Sequence, residues 1–428
     1  MSSLTRRQFL VDSSKVVAGA SIFSSVLAAC GSSTSSSSGP VTLSYWALFY
    51  EKGTPAAVPI DQAVKNFEKA NSGVTVNITG YQGTQADYTK MTQALQGGGT
   101  IDLFRVSSDE LPLMVQQNLV APTDNFLTAS DRSDIYPSFL KDVTFNGKVY
   151  AWPMYVPPVG MYLNLDIFKE RSVTPPSDNW TYEEFVQIAQ QLTFTRSNGD
   201  KVYGYTGQVD AGVVNTWPII MGDGGEPLSP DNKTYTFNSS QGISGLQKLV
   251  DLAHKYKVTP PDFGTQTVDD IRSGFSQRKV YAMYSEPSGA ASTFAQQGLN
   301  FAVRPMPIGA RGKPFTCGGI GLIAVANLQD QNRLQKAMEL AKYLSGPQVA
   351  SIAGYYTAPS VRKSVHISAP TSDFSPFVAY TWIAPIIAQW PAIRLLLQPQ
   401  LQKAILGQLS PSDALNQPAN QINALLSS

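Results

Sequence analysis

The chain has 428 residues, 43% of them hydrophobic and only 15% charged, with a formal net charge of +1. From residue 30 onward about 400 residues remain, too many for one hydrophobic core and suited to two domains. A near-neutral body gives no electrostatic footprint for nucleic acid, two cysteines make no disulfide scaffold, and two distant histidines, His254 and His366, give no metal-ligand spacing.

In chain order, the first segment reads as an export signal. Arg6 and Arg7, followed by Gln8-Phe9-Leu10, resemble the twin-arginine motif. Val16–Ala29 is apolar and rich in small residues, but at 14 residues it falls short of the roughly 20 that a bilayer span requires, so residues 1–29 are read as a signal peptide. It ends in Leu27-Ala28-Ala29-Cys30-Gly31, which resembles a bacterial lipobox with Cys30 as the lipidated residue. Residues 30–40 are Ser-rich and read as a flexible tether between a lipid anchor and the folded body. The expectation is an extracytoplasmic protein held at the cell membrane.

Strands and helices then alternate. Val41–Trp46 and Val74–Ile78 have strand character. Ile60, Val64 and Phe67 lie at helical spacing before an Asn71…Gly73 stop, and Tyr88, Met91 and Leu95 mark a second helix stopped by Gly97-Gly98-Gly99. With Ile101–Val106 this gives a β-α-β-α-β order and predicts a parallel sheet with right-handed crossovers. Further on, Thr181 and Glu184 form a capping box, Asn198-Gly199 predicts a hairpin turn, and Ile243, Leu246, Leu249, Val250 and Ala253 share one helix face. Val280–Tyr284, Phe301–Arg304 and Gly319–Ala326 read as strands. A helix carrying Leu334 to Leu344 and a proline-punctuated helical tail follow, with a kink or break expected at Pro418. Cys317, left without a partner, is expected to be buried.

Several strings in this order resemble family 1 extracellular solute-binding proteins, the carbohydrate-binding lipoproteins of ABC importers. Phe67-Glu68-Lys69-Ala70-Asn71 resembles the family's FEK-x-N helix end. Tyr88 to Leu103 resembles its Y-x-x-K…P-D-V segment, with Ile101 where proline is usual. Asn146 to Pro153 resembles the G-K-x-Y-G-x-P turn, and Tyr162 to Phe168 resembles Y-Y-N-K-D-L-F with Leu165 for lysine. Pro175 to Phe185, Trp217 with Gly222-Asp223-Gly224-Gly225, Phe275 to Met283 (Arg278 for glycine) and Ala358 to Arg362 continue the match. The resemblance implies an α/β, two-lobed periplasmic-binding-protein-like fold of type II, its lobes joined by crossover hinge strands around a ligand cleft. By family analogy residues 41–155 plus 303–345 form the N-terminal lobe, and 156–302 plus 346–428 the C-terminal lobe. It also implies a monomer without cofactor or metal, with an oligosaccharide as ligand and the permease subunits of an ABC importer as partners.

Sugars offer weakly apolar ring faces that stack on aromatics, and hydroxyls that need paired donors and acceptors. Open α/β sheets bind ligands beyond the C-terminal ends of their strands. Trp46 either stacks on a sugar or caps the core, and Glu51 either pairs hydroxyls or is solvated. Ser107 and Asp109 follow the third strand, where the family places ligand contacts; the alternative for Asp109 is a helix N-cap. At the expected crossover Trp152 fills the interface and Tyr155 is the ligand candidate. Trp217 is expected to line the cleft, the alternative being the core of the second lobe. Glu286 lies at another strand end, Gly318 and Gly319 present backbone N–H groups, and Arg394 either reaches the cleft or sits on the surface. An enzyme reading, a surface-anchored carbohydrate hydrolase, rests on whether Glu51, Asp109 and Glu286 converge. No G-x-S-x-G, H-E-x-x-H or Walker A accompanies them, and Gly97-Gly98-Gly99 lacks the Lys-Ser/Thr of a phosphate loop. A non-sugar polar solute on the same fold is the closer alternative.

Overall fold

A computed structural model describes residues 39–210 and 214–427. Arg6, Arg7 and Cys30 lie outside the described residues.

The first sheet is built from β1 (Val41–Leu48), β2 (Val74–Tyr81), β3 (Leu103–Ser107), β6 (Trp152–Tyr155) and β13 (Gly321–Val325), in the order β2-β1-β3-β13-β6. β1 runs parallel to β2 and β3, as the β-α-β-α-β order predicts. β13, arriving from far along the chain, is antiparallel to both β3 and β6, so the sheet is mixed rather than all parallel. The helices Val58–Ala70 and Gln331–Leu344 meet through Phe67 and Tyr343, whose ring centroids are 5.5 Å apart. A small hairpin of β4 (Thr144–Phe145) and β5 (Lys148–Val149) turns at Asn146-Gly147. Both turn residues have positive φ, 51° and 75°, as a two-residue hairpin loop of primed type requires.

The second sheet comprises β7 (Val159–Asn164), β8 (Phe194–Thr195), β9 (Lys201–Gly207), β10 (Tyr281–Pro287) and β11 (Phe301–Arg304), ordered β11-β7-β10-β9-β8. It is buried on both faces, which is why β7 reads as an unbroken apolar run. Met161 and Leu163 join one core cluster, and Tyr162 joins the aromatic cluster opposite, beside Phe275, Phe294 and Phe374. The predicted capping box at Thr181 and Glu184 is formed, and the Asn198-Gly199 turn joins β8 to β9. Pro418 is the N-cap of Ala419–Leu426, so the tail breaks there rather than kinking. Cys317 is fully buried, 3.8 Å from the Met221 sulfur, and burial pushes its thiol well above the ordinary range.

The chain passes between the lobes three times: through Val156-Pro157-Pro158, between β12 (Thr316–Gly318) and β13, and between Val365 and Phe374, ahead of β14 (Thr381–Ile383), which pairs in parallel with β12. The cores divide differently from the boundaries expected by analogy. β11 pairs with β7, and Val303 and Met306 lie in second-lobe clusters, so the segment from 303 to β12 belongs to the second lobe. Val349, Tyr355, Ala358, Val361 and Val365 pack in the first-lobe core, so that lobe extends past 345. Arg362 fixes this extension by ion pairs to Asp131 and Asp134 at 3.4 and 3.1 Å.

Candidate ligand-binding cleft

The two lobes meet through charged side chains at the C-terminal ends of their strands. Asp109 and Glu110 follow β3 on the first lobe. Arg394 lies on the helix Trp390–Ile405, whose Trp390, Ile393 and Leu397 are second-lobe core. The Arg394 guanidinium donates from Nη1 to Asp109 Oδ2 at 2.8 Å and from Nη2 to Glu110 Oε1. All three residues are at most 4% exposed. Burial, and secondarily the Asp109 charge, raise the Glu110 carboxyl to about 7 against the pull of Arg394. Tyr88, on the helix Gln85–Gln96, lies beside this triad; burial foremost, then the charges of Glu110 and Asp109, push its phenol well above 10.

A second cluster forms at the end of β10. Glu286 accepts hydrogen bonds from Arg272 Nη2 at 2.6 Å, from Asn215 Nδ2 at 2.8 Å and from the Tyr284 hydroxyl. Arg272 reaches toward the first lobe, its guanidinium carbon 5.9 Å from the Phe49 ring centroid. Phe49, in the turn after β1, is 45% exposed and has φ 58°, an uncommon conformation for an aromatic residue that turns its ring out of the first lobe. Around these clusters Arg394 Nε, Gln398 Oε1, Asn215 Oδ1 and Arg272 Nε are buried without hydrogen-bond partners. A mixture of free donors and acceptors of this kind suits ligand hydroxyls, which can both give and accept.

The residues singled out from sequence fall into three groups. Asp109, Glu286 and Arg394 lie in the buried polar clusters. Arg394 is 3% exposed, so it is not a surface residue, and Asp109 is engaged by the guanidinium rather than capping a helix. Ser107, Gly318 and Gly319 lie together beneath them. A Cβ on Gly319 would sit 2.8 Å from Ser107 Oγ, and one on Gly318 would sit 3.0 Å from the Pro157 carbonyl oxygen. Close packing of crossover segments therefore accounts for these glycines.

The remaining four lie elsewhere. Trp46 is half-buried on β1, tilted against Tyr81 with the Lys90 ammonium 6.0 Å from its ring. Glu51 is exposed in the loop beyond β1 and receives Thr54 N–H on its backbone carbonyl. Tyr155 is 6% exposed and packs over Gly321, where a Cβ would lie 2.2 Å from the ring. Trp217 is 3% exposed and packed on three rings: Trp382 (6.2 Å, stacked), Trp390 (6.1 Å, edge-on) and Phe237 (5.6 Å). It is packed within the second-lobe core cluster. Glu51, Asp109 and Glu286 are thus not joined in one cluster: Glu51 is exposed, and the other two are each held by a different arginine.

Sequence reasoning missed Glu110, Arg272, Asn215, Phe49 and Gln398. Asp109-Glu110 was legible as an acidic pair after a strand. Gln398 stands one helical turn beyond Arg394, so it shares that residue's face. Arg105, a charge inside the apolar run of β3, is legible beside Ser107 and Asp109 at the third strand's end. This residue is 4% exposed, with its guanidinium carbon 5.2 Å from the Tyr355 ring centroid and 6.0 Å from that of Tyr155.

The matches to known proteins agree with this architecture. A binding protein of Brucella abortus (strain 2308) is 23% identical over 386 residues, covering 86% of this chain and 89% of the relative. A solute-binding protein of an ABC transporter from Thermotoga lettingae, solved with α-D-tagatose, superposes with a TM-score of 0.78 at 23% identity, covering 90% of this chain and 99% of that one. An ABC substrate-binding protein from Listeria monocytogenes in complex with cycloalternan gives a TM-score of 0.77 at 19% identity, with the same coverage. At these identities the structural likeness establishes the two-lobed fold. The family described as bacterial extracellular solute-binding protein matches residues 62–373, which include every strand of both sheets except β1, and the Asp109 and Glu286 loops. On that match the chain belongs to the bacterial extracellular solute-binding proteins.

Proposed function

We propose that this protein captures a carbohydrate, in particular an oligosaccharide, by lobe closure and delivers it to the permease subunits of an ABC importer. The observation that carries the reading is the meeting of Asp109, Glu110 and Phe49 of one lobe with Arg394, Arg272 and Glu286 of the other. Buried donors and acceptors beside them remain free for hydroxyls. A ligand touching both lobes favours the closed state, since only that state makes both sets of contacts. The sugars in the Thermotoga and Listeria structures support the ligand class. Engagement of Asp109 and Glu286 by arginines supports binding over hydrolysis, because a glycosidase needs two carboxylates poised on either side of one bond. The protein acts as a monomer in this reading, without cofactor.

A saccharide library tests it, with the thermal midpoint and product release followed together. A binder at a hundred times its Kd stabilises the chain by about 2.7 kcal/mol and releases no product. Product release would identify a hydrolase. A midpoint raised only by peptides or polyamines would keep the fold and replace the ligand.

Export and anchoring belong to the same reading. The Arg6-Arg7 pair supports export of the folded chain, and Cys30 is proposed to carry the lipid. At about 0.8 kcal/mol per buried CH₂, two or more acyl chains anchor stably. Cys30→Ala is expected to move the protein from the membrane fraction to the soluble one. Unchanged sedimentation with membranes would place the anchor elsewhere.

A further inference from the structure

We propose that Asp109, Glu110 and Arg394 form a proton-gated latch between the lobes, in which Glu110 is a positioning residue that takes up one proton as the cleft closes. The inference rests on lobe closure as the step of capture. One guanidinium faces two adjacent carboxylates, and all three side chains are at most 5% exposed. With both carboxylates ionised this buried cluster carries a net negative charge, and one proton makes it neutral. Burying a net charge is costly, and two carboxylates sharing one site do not both ionise freely.

Among the described residues, Arg394 is the cation that acts on Glu110. The groups facing Glu110 are Arg394 from the helix Trp390–Ile405, Asp109 from its own loop and the phenol of Tyr88 from the helix Gln85–Gln96. Tyr88 stays neutral, since burial drives its ionisation far upward. Glu110 is the carboxyl that burial raises.

Opening the lobes separates Arg394 from its partners and returns the carboxylates to water, where a glutamate titrates near 4.3. In the closed state Glu110 is raised to about 7. The closed state therefore binds more protons than the open one. Closure gains strength as pH falls through about 7 toward the ordinary glutamate range, and loses it as pH rises through about 7. One linked proton changes the closure equilibrium by up to about tenfold per pH unit.

Small-angle X-ray scattering of the ligand-free full chain, carrying Cys30→Ala to keep it soluble, reads this directly between pH 8.5 and pH 5.5. The reference chain is expected to become more compact on acidification. Glu110→Gln, which makes the cluster neutral without a proton, is expected to be compact throughout. A reference chain with pH-independent scattering, or a Glu110→Gln variant that keeps the full pH dependence, would overturn the latch. If circular dichroism shows Glu110→Gln to be unfolded, Asp109→Asn decides: a neutral cluster predicts a flattened profile, and an undiminished one overturns the proposal. Because no ligand is present, failure of the saccharide screen leaves this test standing, and a flat profile in a chain that binds saccharide removes the latch alone.

Discussion

Trp217→Ala is expected to lower the stability of the second lobe by about 3–5 kcal/mol, the usual cost of emptying a large aromatic site in a core. The indole lies between Trp382, Trp390 and Phe237, and each of these rings loses a packed neighbour when it is removed. Trp382 belongs to β14, which pairs with β12 beside a lobe crossing, and Trp390 opens the helix that carries Arg394. The cavity therefore reaches a strand beside one of the lobe crossings and loosens the support of the latch. A melt and a ligand titration on the same variant separate the effects: a strongly reduced melting midpoint is expected, with affinity reduced only as far as Arg394 is displaced. An unchanged midpoint with lost affinity would return Trp217 to the cleft.

That residue also shows where the sequence stops being legible. Its neighbours Pro218 and the glycine-rich 222–225 turn are common to a cleft-lining loop and to a buried helix start, and the chain pattern does not say which way an indole points. The partners that bury it arrive from positions 237, 382 and 390. Elements with a local cause were readable: β1, β2 and the helix between them from periodicity, Thr181 with Glu184 from capping chemistry, and the turn between β8 and β9 from Asn198-Gly199, where Gly199 has φ 93°. Features that depend on distant returns were not. β13 enters the first sheet antiparallel, and the segment containing Val349 and Tyr355 goes back to the first-lobe core, because the chain crosses the hinge late. The polar cleft behaves the same way. Asp109 and Glu286 were legible as carboxylates at strand ends, but Arg394 stands 285 positions from Asp109, and nothing near Trp390-Pro391 announces that its guanidinium is buried between two acids.

Arg394→Met should give the opposite signature to Trp217→Ala. Methionine keeps much of the apolar stem, so the packing beside Ile393 and Leu397 survives, while Asp109 and Glu110 lose the guanidinium they share. Removing one partner of a buried ion pair costs about 3–5 kcal/mol, because the remaining charge stays desolvated. In a single core that cost appears as unfolding. Here the two sides belong to different lobes, so opening the cleft rehydrates both carboxylates without unfolding either lobe. The cost is therefore expected in closure. At pH 8 ligand affinity falls by a hundredfold or more, since about 1.4 kcal/mol is tenfold, while the melting midpoint of the ligand-free chain changes little. Acid should restore part of the loss, because protonating the carboxylates removes the uncompensated charge. Replacing all three members by apolar residues of similar volume should restore closure at every pH, since a well-packed apolar cluster is often as stable as the ion pair it replaces. Calorimetric titrations at pH 8 and pH 5.5, with a melt of each variant, check these outcomes. A collapsed midpoint in Arg394→Met with unaltered affinity would show that Arg394 stabilises the fold rather than closing the lobes.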